Sequence, residues 1–497
     1  MKRFMAVLLA IIMVLTLSAC TSTKDPAEEG NGTGTGGDGT NAPTTDEQGN
    51  EVTTAAETKS AEDLRKEKVV NDFNASQGEV GNRTVLNFNT FTDETAGMLA
   101  FFLKENPEFG EDYYIKVELN TEVHQHRLAV STNIGKTGSD SVDLFIADVD
   151  YAMEFAGMSG TASLADLGIE ITESEYYAYT LDLVRIDGTV KGLSHQATPG
   201  AMYYRADIAE EILGIKSDAD MQKLVSDWDK FLETMEKIME ESDDLNIIYG
   251  ADELKRNFMN SRDEAWVVDN EFNIDMDTLE EFVRVTQAIK DMGGLAINGG
   301  GQWANNWYSG MKDGVFSYFG STWYLHYTIK PNAKEDGEGK DELGNGSYGL
   351  WGMVPGPATF YWGGTYWFGS KVAAEDDAKK DAVAQIIEFF CVNDDSMFAY
   401  MDSTGDFPSK KAVAKKLADN YDGNDFFLFK TNHFEVFAEV AEKIDITKTI
   451  TPYDATINSE VDEFINAIFS SEAKSFDDAI QAFKAAVRGK IPTLDIL

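Results

Sequence analysis

From Arg83 to Leu497, short β-branched or aromatic runs take turns with amphipathic stretches, and this alternation over 415 residues restricts the fold more than any other feature. Strands separated by helices imply βαβ units and a parallel sheet. A span of that length exceeds one hydrophobic core and suits two lobes. Thr84-Val85-Leu86-Asn87-Phe88 reads as a strand. A helix is expected from about Thr95 to Lys104, stopped at Asn106-Pro107 because the residue before a proline is pushed out of the helical region. Tyr113 to Leu119 reads as a second strand, and Ser141 to Ala147 as a third that is apolar enough to be buried on both faces. Trp228, Phe231, Leu232, Met235, Ile238 and Met239 share one helical face; so do Leu279, Phe282, Val283, Thr286 and Ile289, closed by Gly293-Gly294. Both stripes read as core. Trp303 and Trp307, four apart after Gly299-Gly300-Gly301, read as packing on a helix.

The first 82 residues have a different character. Lys2 and Arg3 precede an uncharged apolar run, Phe4 to Leu17. That run is shorter than the about 20 residues a spanning helix needs, but it suits the apolar region of a signal peptide. It ends in Leu17-Ser18-Ala19-Cys20, which resembles the bacterial lipobox, so residues 1–20 are expected to be a lipoprotein signal peptide with Cys20 acylated. Two acyl chains anchor a protein stably without a spanning helix. Residues 21–82 are rich in Gly, Thr, Asn, Asp and Glu and read as a disordered tether, with a hint of helix from Ala61 to Val70. As a coil, about 60 residues span roughly 40–45 Å. The expected location is the outer face of a cell membrane, with membrane contact through the lipid alone.

Charge excludes some partners. Forty-two basic and 86 acidic residues give a formal charge of −44, which argues against nucleic acid or an anionic lipid surface. If Cys20 is acylated, Cys391 stands alone in the apolar run Ile386-Ile387-Glu388-Phe389-Phe390-Cys391-Val392 and reads as a small buried hydrophobe, so no disulfide is expected. His124 and His126 lack an obvious third ligand and read as a solvated helix face; no metal site and no cofactor are expected. No G-x-S-x-G or H-E-x-x-H is present, and no catalytic residue is assigned.

Three segments in a fixed order resemble the extracellular solute-binding proteins of bacterial ABC importers, in the branch of the maltose-binding proteins. The first is Val142 to Tyr151, followed by Leu164-Ala165-Asp166-Leu167. The second is Gly192-Leu193-Ser194-His195 with Pro199-Gly200-Ala201-Met202-Tyr203-Tyr204-Arg205-Ala206-Asp207, and the third is Gly314 to Trp323. Pro355-Gly356-Pro357, Gly363-Gly364-Thr365-Tyr366-Trp367 and a helix through Phe390 follow. The resemblance implies a two-lobe, type II periplasmic-binding fold of α/β class with discontinuous lobes. Residues 83–195 plus 366–405 would form lobe one, and 196–365 plus 406–497 lobe two, with crossings near 193–200, 362–368 and 403–410.

Such a fold holds its ligand between the lobes, beyond the carboxyl ends of strands. A sugar presents apolar C–H faces and a rim of hydroxyls, so flat rings with carboxylates or amides suit it. The resemblance places Asp150 at a hydroxyl-binding edge, with Asp148 and Tyr151 beside it, and Trp323 at a stacking position. Tyr366, Trp367 and Trp362 flank Gly363-Gly364; Asp93 and Glu94 follow the first strand, with Asn89 and Thr92 in the same loop. His195 and Gln196 sit at the first crossing, and Tyr453 follows Pro452 at a cleft edge. The implied function is capture of a carbohydrate or oligosaccharide by a monomer, for delivery to an ABC permease. A polyamine, peptide or other solute and a surface-anchored glycan-degrading enzyme are the alternatives.

Overall fold

In the strand Thr84–Thr90 alternate side chains leave opposite faces, yet its last five residues are all buried. A strand of this kind needs cover on both sides. The computed structural model describes residues 60–497 apart from 243, 298–299, 336–340, 424–425, 430, 471–473 and 497. The expected signal peptide, Cys20 and the tether up to residue 59 therefore lie outside the described residues. Everything below belongs to the compact unit Glu62–Leu497.

Eight strands build two sheets: β1 (Thr84–Thr90), β2 (Tyr113–Leu119), β3 (Leu144–Asp148), β4 (Leu193–Ser194), β5 (Ala201–Arg205), β6 (Ser317–Gly320), β7 (Trp351–Val354) and β8 (Thr365–Gly369). The first sheet has the order β2-β1-β3-β8-β4. Its β2-β1-β3 half is parallel, as the alternation predicts, but β8 pairs antiparallel with both β3 and β4. The second sheet, β6-β5-β7, is antiparallel throughout. The fold is two α/β lobes, and the expected parallel sheet occupies only one half of the first.

Core packing decides several side chains. From β8, Trp367 goes to one face, where its ring lies parallel to Phe390 at 5.3 Å and to Phe88 at 5.6 Å. Phe368 goes to the other and stacks on Phe145 at 5.4 Å. The helix Asp377–Cys391 covers the Trp367 face and carries Cys391 fully buried. Helices Trp228–Glu240 and Met276–Asp291 bury Phe231, Met235, Ile238, Leu279, Phe282 and Ile289, matching both stripes, and Gly293 takes a φ of +78° after the second.

Residues 61–82 depart from the tether reading. Ala61–Ser76 is a helix with Val70 and Phe73 buried. Its Asn74 amide donates to the Val117 carbonyl at 2.9 Å and accepts from the Val117 N–H, and Gln77 does the same for Ile115. The open edge of β2 would otherwise offer unpaired N–H and C=O groups, and these amides satisfy it. Two buried side chains, rather than overall composition, hold this segment on the lobe. His126 also departs from expectation: it is buried, its Nε2 lies 2.7 Å from the Ile146 carbonyl, and its ring stacks on Phe155.

Three segments run side by side between the sheets. The Ala197 N–H donates to Phe407 and the Ser409 N–H to His195; the Gly200 N–H donates to Phe360 and the Trp362 N–H to Thr198. Among the described residues no helix is long and apolar enough to cross a membrane.

Candidate functional site at the junction of the lobes

On the second lobe two adjacent acids build a platform. The Asp252 carboxylate accepts the Gly301 N–H at 2.7 Å and the Gln302 N–H at 2.9 Å, pinning the turn that leads into Trp303. Trp303 then adopts a φ of +71°, rare for a side chain of that size. Its ring is 46% exposed. The buried Glu253 carboxyl accepts Trp307 Nε1–H and the Phe319 N–H, both at 2.9 Å, and so sets the Trp307 ring 5.0 Å from Trp303. Burial pushes the Glu253 carboxyl up to about 8.

Two more rings complete the group. Trp323 follows β6, is half-buried, and lies nearly parallel to Trp303 at 6.1 Å. Its Nε1–H donates to the Trp362 carbonyl at 2.9 Å, and the Trp362 ring meets it edge-on at 5.0 Å. Gly363 permits this approach: its φ is +72°, and a Cβ there would fall 2.4 Å from Trp323 Nε1.

The first lobe supplies carboxylates from the end of β3. Asp148 caps the helix Val149–Gly157 by accepting the Asp150 N–H at 3.0 Å. Burial and the neighbouring Asp150 charge push its carboxyl up to about 7. Asp150 itself meets Arg256 in a two-point fork, 3.0 Å for each contact. Arg256 sits on the second-lobe helix Lys255–Met259 with its guanidinium 5.8 Å from the Trp362 ring centre. This pair therefore bridges the lobes beside the aromatic group. Tyr151 is half-buried next to it with Arg127 over its ring; burial and Asp150 raise its phenol.

At the crossing segments lies a second acidic group. The buried Asp406 accepts the Gln196 amide at 2.9 Å and the Phe407 N–H at 2.8 Å, and burial pushes its carboxyl up to about 6. Glu94 keeps access to solvent while protein crowds it on its other sides. That crowding, with the charges of Asp406 and Asp93, pushes it up to about 7. Tyr327, 61% exposed, has its phenol raised by the same crowding and by Glu94 and Asp406.

Asp148, Asp150, Tyr151, Trp323 and Trp362 thus come together, and Glu94 meets Gln196 through Asp406. Other expected contacts do not join them. Trp367 is interior to the first lobe, because β8 lies in mid-sheet and its ring fills the space between Phe88 and Phe390. Tyr366 leaves the opposite face of β8, also buried, with Tyr179 and Tyr361 near it. His195 is buried; its Nδ1 accepts Trp367 Nε1–H at 3.1 Å, and desolvation lowers it to about 3. Asp93 pairs with Arg65 at 3.2 Å. Tyr453 is half-buried where the helix Asp454–Phe469 begins, a helix that packs against Val149–Gly157.

Arg256, Trp303, Tyr327 and Asp406 are additions to the residues expected from sequence. Gly299-Gly300-Gly301 stood before Trp303 and Asp406 falls within the expected crossing near 403–410; nothing local marked Arg256. Trp303 also lines a groove of about 380 Å³ with Asp252, Lys255 and Asp462. Among the described residues no group of three or more His, Cys, Asp or Glu could hold a metal ion.

A family model described as "Bacterial extracellular solute-binding protein" matches residues 102–424. No curated protein sequence matches the chain. Among solved structures, a protein described as extracellular solute-binding protein family 1 aligns with a TM-score of 0.66 and 16% identity, over 82% of this chain and 99% of that one. The sugar-binding protein MalE from the phytopathogen Xanthomonas citri aligns with 0.62 and 18%, over 82% and 97%. The galacto-N-biose-/lacto-N-biose I-binding protein of the ABC transporter from Bifidobacterium longum, in complex with lacto-N-biose, aligns with 0.61 and 13%, over 84% and 100%. These likenesses establish the type II two-lobe periplasmic-binding fold.

Proposed function

The chain belongs to the bacterial extracellular solute-binding proteins, and on that premise we propose that it captures a carbohydrate, most simply an oligosaccharide, between its lobes for delivery to an ABC permease. The observation that carries this reading is the group of Trp303, Trp323 and Trp362 beside the Asp150–Arg256 fork. Rings of that kind suit the apolar face of a pyranose, and the charged pair offers acceptors and donors to its hydroxyls. Sugar-binding proteins among the structural neighbours support it.

Closure of the lobes about the crossing segments buries the ligand and presents the shape a permease recognises. The ligand must then bind the closed form more tightly than the open one. Capture without cleavage is the reading we adopt, since Asp150 is held by Arg256 and Asp148 by its helix cap. We further assign the chain a lipid anchor at Cys20, a signal peptide over residues 1–20 and a monomeric state.

Titration with a broad oligosaccharide panel tests the main reading: heat of binding and a thermal shift are expected for at least one member. Silence across the panel overturns the sugar assignment. Incubation with the tightest binder is expected to return it intact; shortened products would make the protein an enzyme. Acyl labelling in the producing cell is expected to be lost in Cys20→Ser.

A further inference from the structure

The groove beside Trp303 lies outside the junction of the lobes. Its lining comes from three segments of the second lobe alone: Asp252 to Lys255, Gly300 to Trp303 and Asp462 to Asn466. Its volume of about 380 Å³ falls in the range of about 300–1,000 Å³ that small-molecule sites occupy. Trp303 belongs to both places, since its ring lies 6.1 Å from Trp323 in the aromatic group and also lines the groove. The helix Lys255–Met259 joins them a second time. Its Arg256 forks to Asp150 of the first lobe, while Lys255, one residue earlier, pairs with Asp462 at 2.6 Å in the groove lining.

Two observations point to a ligand there. Trp303 holds a φ of +71°, which large side chains avoid, and the Asp252 carboxylate accepts the Gly301 and Gln302 N–H groups just before it. Backbone strain of this kind persists only where the surroundings enforce it, and it gathers at ligand-binding positions. Here it keeps a large indole exposed at the edge of the groove. The second observation is a set of uncommitted polar groups. Among the described residues, the side-chain amides of Gln302 and Asn466 meet no hydrogen-bond partner. The charged groups, by contrast, are already matched: Lys255 with Asp462, and Asp252 with the backbone N–H groups. An indole flanked by free amides and a self-neutralised ion pair suits a neutral ring rimmed with hydroxyls better than it suits an ion.

We propose that this groove is a further sugar subsite, which takes the outer rings of a neutral oligosaccharide whose inner rings lie against the tryptophan group. The inference rests on the carbohydrate reading above and narrows the ligand to a chain of several rings. Because the lining lies within one lobe, closure does not create the subsite, and the end of the chain lodges there before the lobes shut.

Calorimetric titration of the whole chain tests it with malto-, cello- and xylo-oligosaccharides, each from disaccharide to pentasaccharide. In a series that binds, the longer members are expected to bind about ten- to a hundredfold more tightly than the disaccharide, the span of one or two hydrogen bonds. Two groove variants accompany the parent. Asn466→Trp, at an exposed position of the helix Asp454–Phe469, places an indole in the groove; it is expected to abolish most of the gain with length and to leave disaccharide affinity and melting temperature unchanged. Gln302→Ala keeps the backbone bond to Asp252 and is expected to weaken the longer members severalfold and the disaccharide not at all. Equal affinity for short and long members, or a gain that survives in both variants, overturns the subsite while sugar capture stands. Silence in every series overturns the sugar reading and the subsite with it.

Discussion

Trp367 and Trp323 invite comparison. Both lie near the crossing of the lobes and both were expected to face ligand, yet one fills the first lobe and the other stays half-buried among the rings of Trp303 and Trp362. Trp367 belongs to β8, which is paired on both edges by β3 and β4 and packed on its faces by the helices Asp377–Cys391 and Val149–Gly157, so its ring has only core to enter. Trp323 comes after β6 has ended, where the chain has left the sheet and its ring meets Trp303 and Trp362 rather than a covering layer. An aromatic residue at a sheet's end can be offered to a guest. One in mid-strand of a covered sheet cannot.

The largest effect that would sharpen the comparison is on stability. Trp367→Ala leaves a cavity between Phe88 and Phe390 and should cost about 3–5 kcal/mol in denaturant unfolding. A loss below about 1 kcal/mol would break the claim that this ring is core. Trp323→Ala should instead weaken the best ligand by about ten- to a hundredfold in calorimetry, with only a small fall in melting temperature. If the two variants exchanged these phenotypes, the assignment of faces would be reversed.

Arg256→Gln removes the cation that joins the lobes and leaves Asp150 unmatched. The ligand-free chain should then populate open shapes, by about 1–2 kcal/mol for a partly exposed pair, and its radius of gyration in small-angle scattering should rise. An unchanged radius would make the fork incidental to closure. The smallest effect concerns pH. Asp148 titrates near 7 in the folded chain against an ordinary 3.8, so the native state holds that proton more tightly. Its penalty is absent below about pH 4, grows between 4 and 7, and is complete above 7. Asp148→Asn keeps the helix cap and should melt higher than the parent at pH 8 but equally at pH 4. Equal melting at both values would remove the case for a crowded acid there.

Much of the fold was legible. Tyr113–Leu119 forms the strand its alternation predicts, and the helix expected at Thr95–Lys104 spans Glu94–Glu105. The Trp228 and Leu279 stripes bury their apolar faces. These are local matters, decided within a few residues by periodicity, caps and prolines. Parts of the candidate site were legible too, since Asp148, Asp150 and Trp323 stand where strands end and the structure groups them near Trp362. Arg256 was not, because its partner lies 106 residues away and the pair exists only when the lobes meet. Trp303 was placed on a helix with Trp307; the helix begins at Asn305, and Asp252 holds the preceding turn in a form that spacing alone does not reveal. His126 looked solvated for a similar reason, since its cover comes from Phe155 and β3.

By itself the amino-acid sequence determined the list of elements, the apolar faces they must hide, the acidic surface and the supply of rings and carboxylates near strand ends. Each of these follows from neighbours along the chain or from composition. Tertiary structure decided which strands became neighbours, hence that β8 returns from beyond residue 360 to sit antiparallel between β3 and β4, and which of its faces received Trp367. It also decided which acids kept a partner. Contacts between residues distant in the chain depend on how whole lobes pack, and no short-range pattern encodes that choice.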